Sequence, residues 1–377
     1  MEHAPGVCLS LKWPDMTEIQ RAMVMKPIYQ KLNEAANLEF PAYGSLYLAN
    51  TPHIKDSAIP LEPNFCIGPN CETMYWDCEP TEPRYYHAVN RNQGPWPDQS
   101  AYCDGLIDAG ISRLPPDAVG SKRPHYHGSV EDHKALLEYC RAVIQKMIQD
   151  PSMSMMAQPT LFHPDLNMRN IFVSEEDPTI LTAIIDWQSS SIKPAFWYMH
   201  ETPDFARKIP DPSDEDKFEP ESERRAKAFS FLVRSLLPPA MLAPLEMDEA
   251  YFRPFMYGHR TWIHGAAAFR IELIQTARRW KELGFEGECP YPLPSPEESA
   301  VHFERFREFE RDYKAKKFLA SMLNVGLDGW VPPEEFEALK QANKELFATI
   351  VEDSRGAEES ENVEAEISDF WLFDLED

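Results

Sequence analysis

The sequence predicts an α+β fold that is mostly helical, with short β-hairpins as its only sheet. Three observations predict it. Long stretches place apolar residues at helical spacing. The strand-like runs are brief. Proline, 34 residues against 15 glycines, collects in the stretches between them, which reads as ordered connecting loops.

The elements follow in chain order. Residues 17–38 form the first helix, with Ile19, Met23, Met25, Ile28, Leu32 and Ala36 at helical spacing and Thr17 as its N-cap. Residues 43–49 and 65–68 read as strands. Residues 98–113 and 131–149 read as helices, the second lined by Leu136, Leu137, Cys140, Val143, Ile144 and Met147. Apolar runs at 160–162, 171–173 and 181–186 flank a polar loop and predict two short hairpins. Residues 222–236, 247–281, 295–321 and 333–351 read as helices. The last stretch, 351–377, is acidic. It is expected to lack a fixed fold, apart from docking by its Phe370-Trp371-Leu372-Phe373 segment, through which a protein partner is conceivable.

Composition narrows the function. Lys+Arg number 37 and Asp+Glu 62, a formal charge of −25 over 377 residues. Nucleic-acid binding needs clustered cations, so it is not expected. No apolar run approaches the ~18 residues of a membrane-spanning helix. The first residues carry neither a basic leader nor an Arg-rich amphipathic helix, so no presequence is visible. Seven cysteines at irregular spacing do not predict a disulfide framework. Cys66, Cys71 and Cys78 are spaced wrongly for a zinc knuckle and read as buried or loop thiols. His125, His127 and His133 read as residues of a solvated loop.

The chemistry lies in residues 161–191. His163-x-Asp165-x-x-x-x-Asn170 precedes an apolar strand, a turn and Ile184-Ile185-Asp186-Trp187. Phosphoryl transfer needs a carboxylate that orients or deprotonates the acceptor hydroxyl, and oxygen ligands for Mg²⁺ on the nucleotide phosphates. The loop places Asp165 at its start and Asn170 at its end, and the hairpin returns Asp186 beside Asn170. Asn170 and Asp186 are hard oxygen ligands suited to Mg²⁺. Asp165 is the candidate base. His163 is expected to support the loop backbone. Trp187 is expected to pack beneath Asp186, and Arg169 to be solvated, the alternative being a contact to a phosphate.

His-Pro-Asp-Leu-Asn-Met-Arg-Asn (163–170) and Ile-Ile-Asp-Trp (184–187) resemble the aminoglycoside phosphotransferase / choline kinase group of the protein-kinase-like superfamily. The surrounding wording, with Gly44–Ala49, Ile67–Asn70 and Gly94–Tyr102, is similar to the fungal altered-inheritance-of-mitochondria branch of that group. The resemblance covers most of residues 1–350. It implies the large lobe of a kinase-like domain over 1–350, followed by the tail 351–377. It implies ATP and Mg²⁺ as cofactors, a small-molecule hydroxyl acceptor, Asp165 as the catalytic aspartate, and Asn170 and Asp186 as metal ligands. It implies a mitochondrial location, and otherwise a cytoplasmic one.

By the same resemblance, Met1–Gly6 is similar to the hinge that joins the two lobes, with Glu2 and Ala4 as adenine contacts. A small lobe would then be absent. The sequence has no G-x-G-x-x-G, and Lys12 follows the hinge-like stretch. Weak ATP affinity and impaired turnover are the expectation for this chain. The alternative is a non-catalytic kinase-fold remnant, a pseudokinase acting through protein contacts.

Overall fold

The computed structural model describes residues 3–377 except 55–56, 77–83, 87–88, 117–122, 199–201, 212–213, 324, 328–330, 332–333, 358–363, 365–366, 369–370, 372 and 374–377. The chain divides into two compact units. One is Met1–Lys122 with Gly128–Leu293, and the other is Arg123–His127 with Pro294–Asp377.

The first unit starts with a two-residue strand, Val7–Cys8, and then the helix Glu18–Ala36. Thr17 and Gln20 form a reciprocal capping box at its start, which satisfies two otherwise orphaned N–H groups. Val24, Met25, Ile28, Tyr29 and Leu32 are buried along one face. That face meets the helix Pro220–Leu236, where the Tyr29 ring stands edge-on to Phe229 with centroids 5.4 Å apart. Ile19 and Met23, counted with the apolar set from sequence, point outward and are exposed.

Small antiparallel sheets flank this core, the third packing in its own cluster with Ala42 and Ile192. Val7–Cys8, Ile171–Val173 and Leu181–Ile184 form one, with Ile171 paired to Ile184 and Val7 paired to Val173. Pro159–Leu161 pairs with Ile192–Pro194. Ser45–Leu48, Phe65–Gly68 and Ile59–Glu62 form the third. Leu9, Phe162, Leu166, Ile171 and Val173 join the helical face in one apolar cluster, so the polar loop after Leu161 is anchored on both sides.

The helices Gln99–Ile111 and Val130–Met147 pack together, capped by Asp98 and Ser129. Arg141 ties them by bonding Asp104 and Asp108 at 2.9 and 2.7 Å. His133 corrects the expectation of a solvated loop. It is fully buried on the second of these helices, with Nδ1 2.8 Å from Thr261 Oγ1.

The single helix expected over 247–281 is instead three, Arg253–Gly258, Thr261–His264 and Ala266–Arg278. Pro254 sits where a helix begins, and Gly265 takes φ +95°, a left-handed value that ends one helix and starts the next. Periodicity carried across the breaks because the first and last pieces bury apolar residues, among them Phe255, Phe269, Ile271 and Leu273.

The second unit holds the helices Pro296–Met322 and Phe336–Ala357. The first opens with a Ser295/Glu298 capping box, and Tyr126 stands edge-on to its Phe309 at 5.7 Å. The second runs past residue 350, where a boundary was expected. Ile367 is buried in a cluster with Val351 of that helix. Trp371 stands edge-on to Phe347 at 4.9 Å and donates its indole N–H to Asn343 Oδ1 at 2.9 Å. Phe370 and Leu372 lie outside the described residues. Cys8, Cys66, Cys71, Cys103, Cys140 and Cys289 are free thiols, and Cys78 lies outside the described residues.

Candidate active site

His163 follows the strand Pro159–Leu161 and is 3% exposed. Its Nδ1 accepts the backbone N–H of Asp165 at 3.1 Å. Nδ1 therefore carries no proton, and Nε2–H donates to Ile185 O at 2.8 Å. Burial holds the imidazole below its usual pKa, against the pull of the Ile185 carbonyl and the charges of Asp165 and Asp186. The Trp187 ring stands edge-on to it at 4.8 Å, and its indole N–H donates to Ile184 O at 3.0 Å. A neutral, doubly bonded imidazole is thus a bracket between the loop and the strand that leads to Asp186.

The loop closes on itself. Asn167 N donates to Asp165 O at 3.0 Å, and Asn170 N donates to Asn167 O at 2.9 Å, in a 3-10 turn over Met168–Asn170. Asn170 O then accepts Ile185 N at 2.9 Å. Ile185 is therefore held by His163 through its carbonyl and by Asn170 through its amide. This fixes the residue just before Asp186 against both ends of the loop.

Both oxygens of the Asp165 carboxylate accept hydrogen bonds. Asn167 Nδ2 donates to Oδ1. Arg169 donates to Oδ2 at 2.7 Å and Asn170 Nδ2 at 3.1 Å. Arg169, expected as a solvated side chain, is 65% exposed yet ion-paired to the candidate base. Local spacing explains the pair, since four residues of tight loop bring the guanidinium back over the carboxylate.

Asn170 is 5% exposed. Its Nδ2 faces two acceptors, Asp165 O at 2.9 Å and Asp165 Oδ2, so the amide oxygen must be the other end. Among the described residues, no hydrogen bond is made to that oxygen. Asp186 is exposed, and among the described residues nothing pairs with its carboxylate. Its φ is +64°, a left-handed value that costs a non-glycine residue on the order of 1–2 kcal/mol. The two hydrogen bonds on Ile185 fix the backbone just before this strained residue.

These oxygens suit a hard cation. Among the described residues no cluster of three or more His, Cys, Asp or Glu is assembled for a metal. The candidate set is therefore one amide oxygen and one carboxylate. Mg²⁺ accepts such a sparse set because it keeps waters and takes phosphate oxygens.

Two supports carried no sequence signal. Asp204, at the start of a 3-10 turn, accepts Met168 N at 3.1 Å and its own neighbour Phe205 N at 2.8 Å, pinning the loop from 36 residues downstream. The Cys8 thiol donates to Arg169 O at 3.3 Å.

Of the two residues expected as adenine contacts, Ala4 alone is among the described residues. Glu2 lies outside the described residues. Ala4 is half-buried before Pro5, whose carbonyl accepts Thr182 Oγ1–H at 2.6 Å. By the strand register, this is the opposite end of the sheet from Asn170 and Asp186. The structure thus brings together His163, Asp165, Asn170 and Asp186, and sets Ala4 apart from them.

No family model matches the chain, and no solved structure matches it. Among curated proteins, it is 24% identical to a subtelomeric hrmA-associated cluster protein of Aspergillus fumigatus, over 95% of this chain and 79% of that protein. It is 23% identical to altered inheritance of mitochondria protein 9, mitochondrial, of Kluyveromyces lactis, over 84% of this chain and 56% of that protein. It is 25% identical to the protein of the same name from Eremothecium gossypii, over 54% of this chain and 37% of that protein. Along most of its length, then, the chain is similar to fungal proteins, several of which are named as mitochondrial altered-inheritance proteins.

Proposed function

We propose that the chain carries a kinase-like phosphotransferase site of the aminoglycoside phosphotransferase / choline kinase type, which moves the γ-phosphoryl group of ATP onto a hydroxyl of a small molecule. One observation carries the reading. Ile185 is held through its carbonyl by His163 and through its amide by Asn170, so the candidate base, the amide oxygen and the strained carboxylate belong to one hydrogen-bonded unit.

Each residue then has a task. Asp165 takes the proton of the acceptor hydroxyl. The acceptor oxygen bonds to the γ-phosphorus, and the bond from that phosphorus to the β–γ bridging oxygen breaks, leaving ADP. Asn170 Oδ1 and Asp186 would hold a Mg²⁺ ion, which supplies charge neutralisation on the phosphates when bound. His163 keeps the loop in place and stays neutral. The Ala4–Gly6 stretch, at the other end of the same sheet, is where an adenine would lie.

The names of the yeast relatives support a mitochondrial location. The chain spans little more than half the length of the Kluyveromyces lactis relative, so the activity is proposed for this site and not carried over from that protein.

A second reading is a non-catalytic remnant that works through protein contacts. It is favoured by the bonds that Asn167, Arg169 and Asn170 make to the Asp165 carboxylate, two of them to Oδ2. Titration calorimetry with Mg·ATP separates the two. The phosphotransferase reading predicts binding that is lost in Asp186→Ala. Heat signals that are absent from both proteins contradict it.

A further inference from the structure

We propose that Arg169 is a two-position residue: it closes Asp165 while the nucleotide is absent, and it leaves Asp165 for the terminal phosphate when Mg·ATP binds. This deepens the phosphotransferase reading and rests on it.

The first position is the one the structure shows. Arg169 donates to Asp165 Oδ2 at 2.7 Å, and the same oxygen also accepts from Asn170 Nδ2 at 3.1 Å. A carboxylate oxygen offers two lone-pair sites, so Oδ2 has none left for an acceptor hydroxyl. Oδ1 is partly used by Asn167.

The three partners are not held equally. Asn170 is 5% exposed and fixed by Asp165 O, Asn167 O and Ile185 N. Asn167 bridges from within the loop, with its backbone N–H on Asp165 O at 3.0 Å. Arg169 is 65% exposed, and among the described residues its guanidinium bonds only to Asp165. An exposed ion pair of this kind is weak, because water screens it and a long side chain must be held still. Arg169 is therefore the partner that gives way.

The second position follows from the tether. Arg169 directly precedes Asn170 in the chain, and its charge is coupled to those of Asp186 and Asp204 as well as to Asp165. A phosphate brought to Asn170 and Asp186 arrives beside the guanidinium. A multiply charged phosphate accepts the planar donor fork of arginine better than one solvated carboxylate does. Nucleotide binding then opens Asp165, and the acceptor hydroxyl enters second.

A double-mutant cycle on Mg·ATP affinity, read by titration calorimetry on the full chain, tests this without turnover. The proteins are wild type, Asp165→Asn, Arg169→Met and the double variant. Arg169 is exposed, so its replacement leaves the packing intact. In wild type, Asp165 competes with the nucleotide for Arg169. Asp165→Asn should therefore tighten Mg·ATP binding about 2- to 5-fold, the factor that an exposed ion pair holds back. Arg169→Met should weaken binding, and in that background Asp165→Asn should change nothing. Arg169→Lys should recover part of the loss, since the charge remains and the fork does not.

An equal gain from Asp165→Asn in both backgrounds overturns the proposal, because it would be the general effect of removing a negative charge. Unchanged affinity in Arg169→Met also overturns it. No binding in any of the proteins overturns the phosphotransferase reading itself, and the switch falls with it.

Discussion

The carboxylate of Asp204 accepts the backbone N–H of Met168 at 3.1 Å, so a residue beyond the strand Ile192–Pro194 holds the middle of the Asp165–Asn170 loop. The same Oδ1 accepts Phe205 N at 2.8 Å, which fixes the carboxylate from its own side. The loop is thereby held at three places, by His163, by Ile185 and by Asp204.

Asp204→Ala should loosen that loop. A hydrogen bond to a charged group contributes about 1.5–3 kcal/mol. We expect a stability loss in that range by denaturant unfolding, with weakened Mg·ATP binding. Asp204→Asn keeps an acceptor oxygen and should lose less on both measures. Equal losses in the two variants would mean that the charge, not the bond to Met168, is what matters.

Acid should destabilise the first unit through two buried imidazoles. Burial lowers the pKa of His163, and it lowers that of His259 well below the usual value, aided by Arg260 and Arg113. Above about pH 6.5, folded and unfolded forms are both neutral at these residues, and their contribution is complete. As pH falls below that value, the unfolded chain takes up protons that the folded chain resists. Stability then drops by up to about 1.4 kcal/mol per pH unit for each group, until the folded pKa is passed. Thermal midpoints at about pH 7.5 and about pH 5.5 should show the fall, and His259→Asn should shrink the difference between them.

Gly6 is the residue that lets the first strand join the site sheet. Its φ is +89°, and a Cβ there would lie 2.2 Å from Val173 O. A left-handed backbone alone costs a side-chain-bearing residue about 1–2 kcal/mol, and the clash with a backbone oxygen adds to it. Gly6→Ala should therefore lower stability by at least about 2 kcal/mol. It should also expose Cys8 to thiol reagents, since Cys8 is the last residue of that strand. Unchanged thiol reactivity would mean that the strand does not depend on Gly6.

In the second unit, Trp371 secures the end of the chain to the helix Phe336–Ala357 through Phe347 and Asn343. Trp371→Ala should release this end and speed limited proteolysis after residue 357, with a local stability loss of about 1–3 kcal/mol. An unchanged cleavage pattern would show that Ile367 alone suffices.

The site was legible where short-range offsets fix geometry. His163, Asp165, Asn170 and Asp186 sit on one tight loop and one hairpin, so spacing alone places them together. Asp204 was not legible, because its bond to Met168 is tertiary and its own surroundings look like any turn. The ion pair of Arg169 was not legible, because solvation and ion pairing leave the same mark in sequence. In the fold, the helix Glu18–Ala36 announced itself through Thr17 and its periodicity. The break at Gly265 did not, since Ala266–Ala268 resume the apolar pattern at once. Two-residue Val7–Cys8 is too short to carry a period.

The central claim is that Asn170 and Asp186 together hold the cation that carries ATP. Mn²⁺ can stand in for Mg²⁺ and be followed by electron paramagnetic resonance. The account predicts that wild type binds Mn²⁺ in an ATP-dependent way, and that Asn170→Ala and Asp186→Ala each abolish the bound signal while retaining the folded circular-dichroism spectrum. Equal ATP-dependent Mn²⁺ binding in wild type and both variants would contradict it.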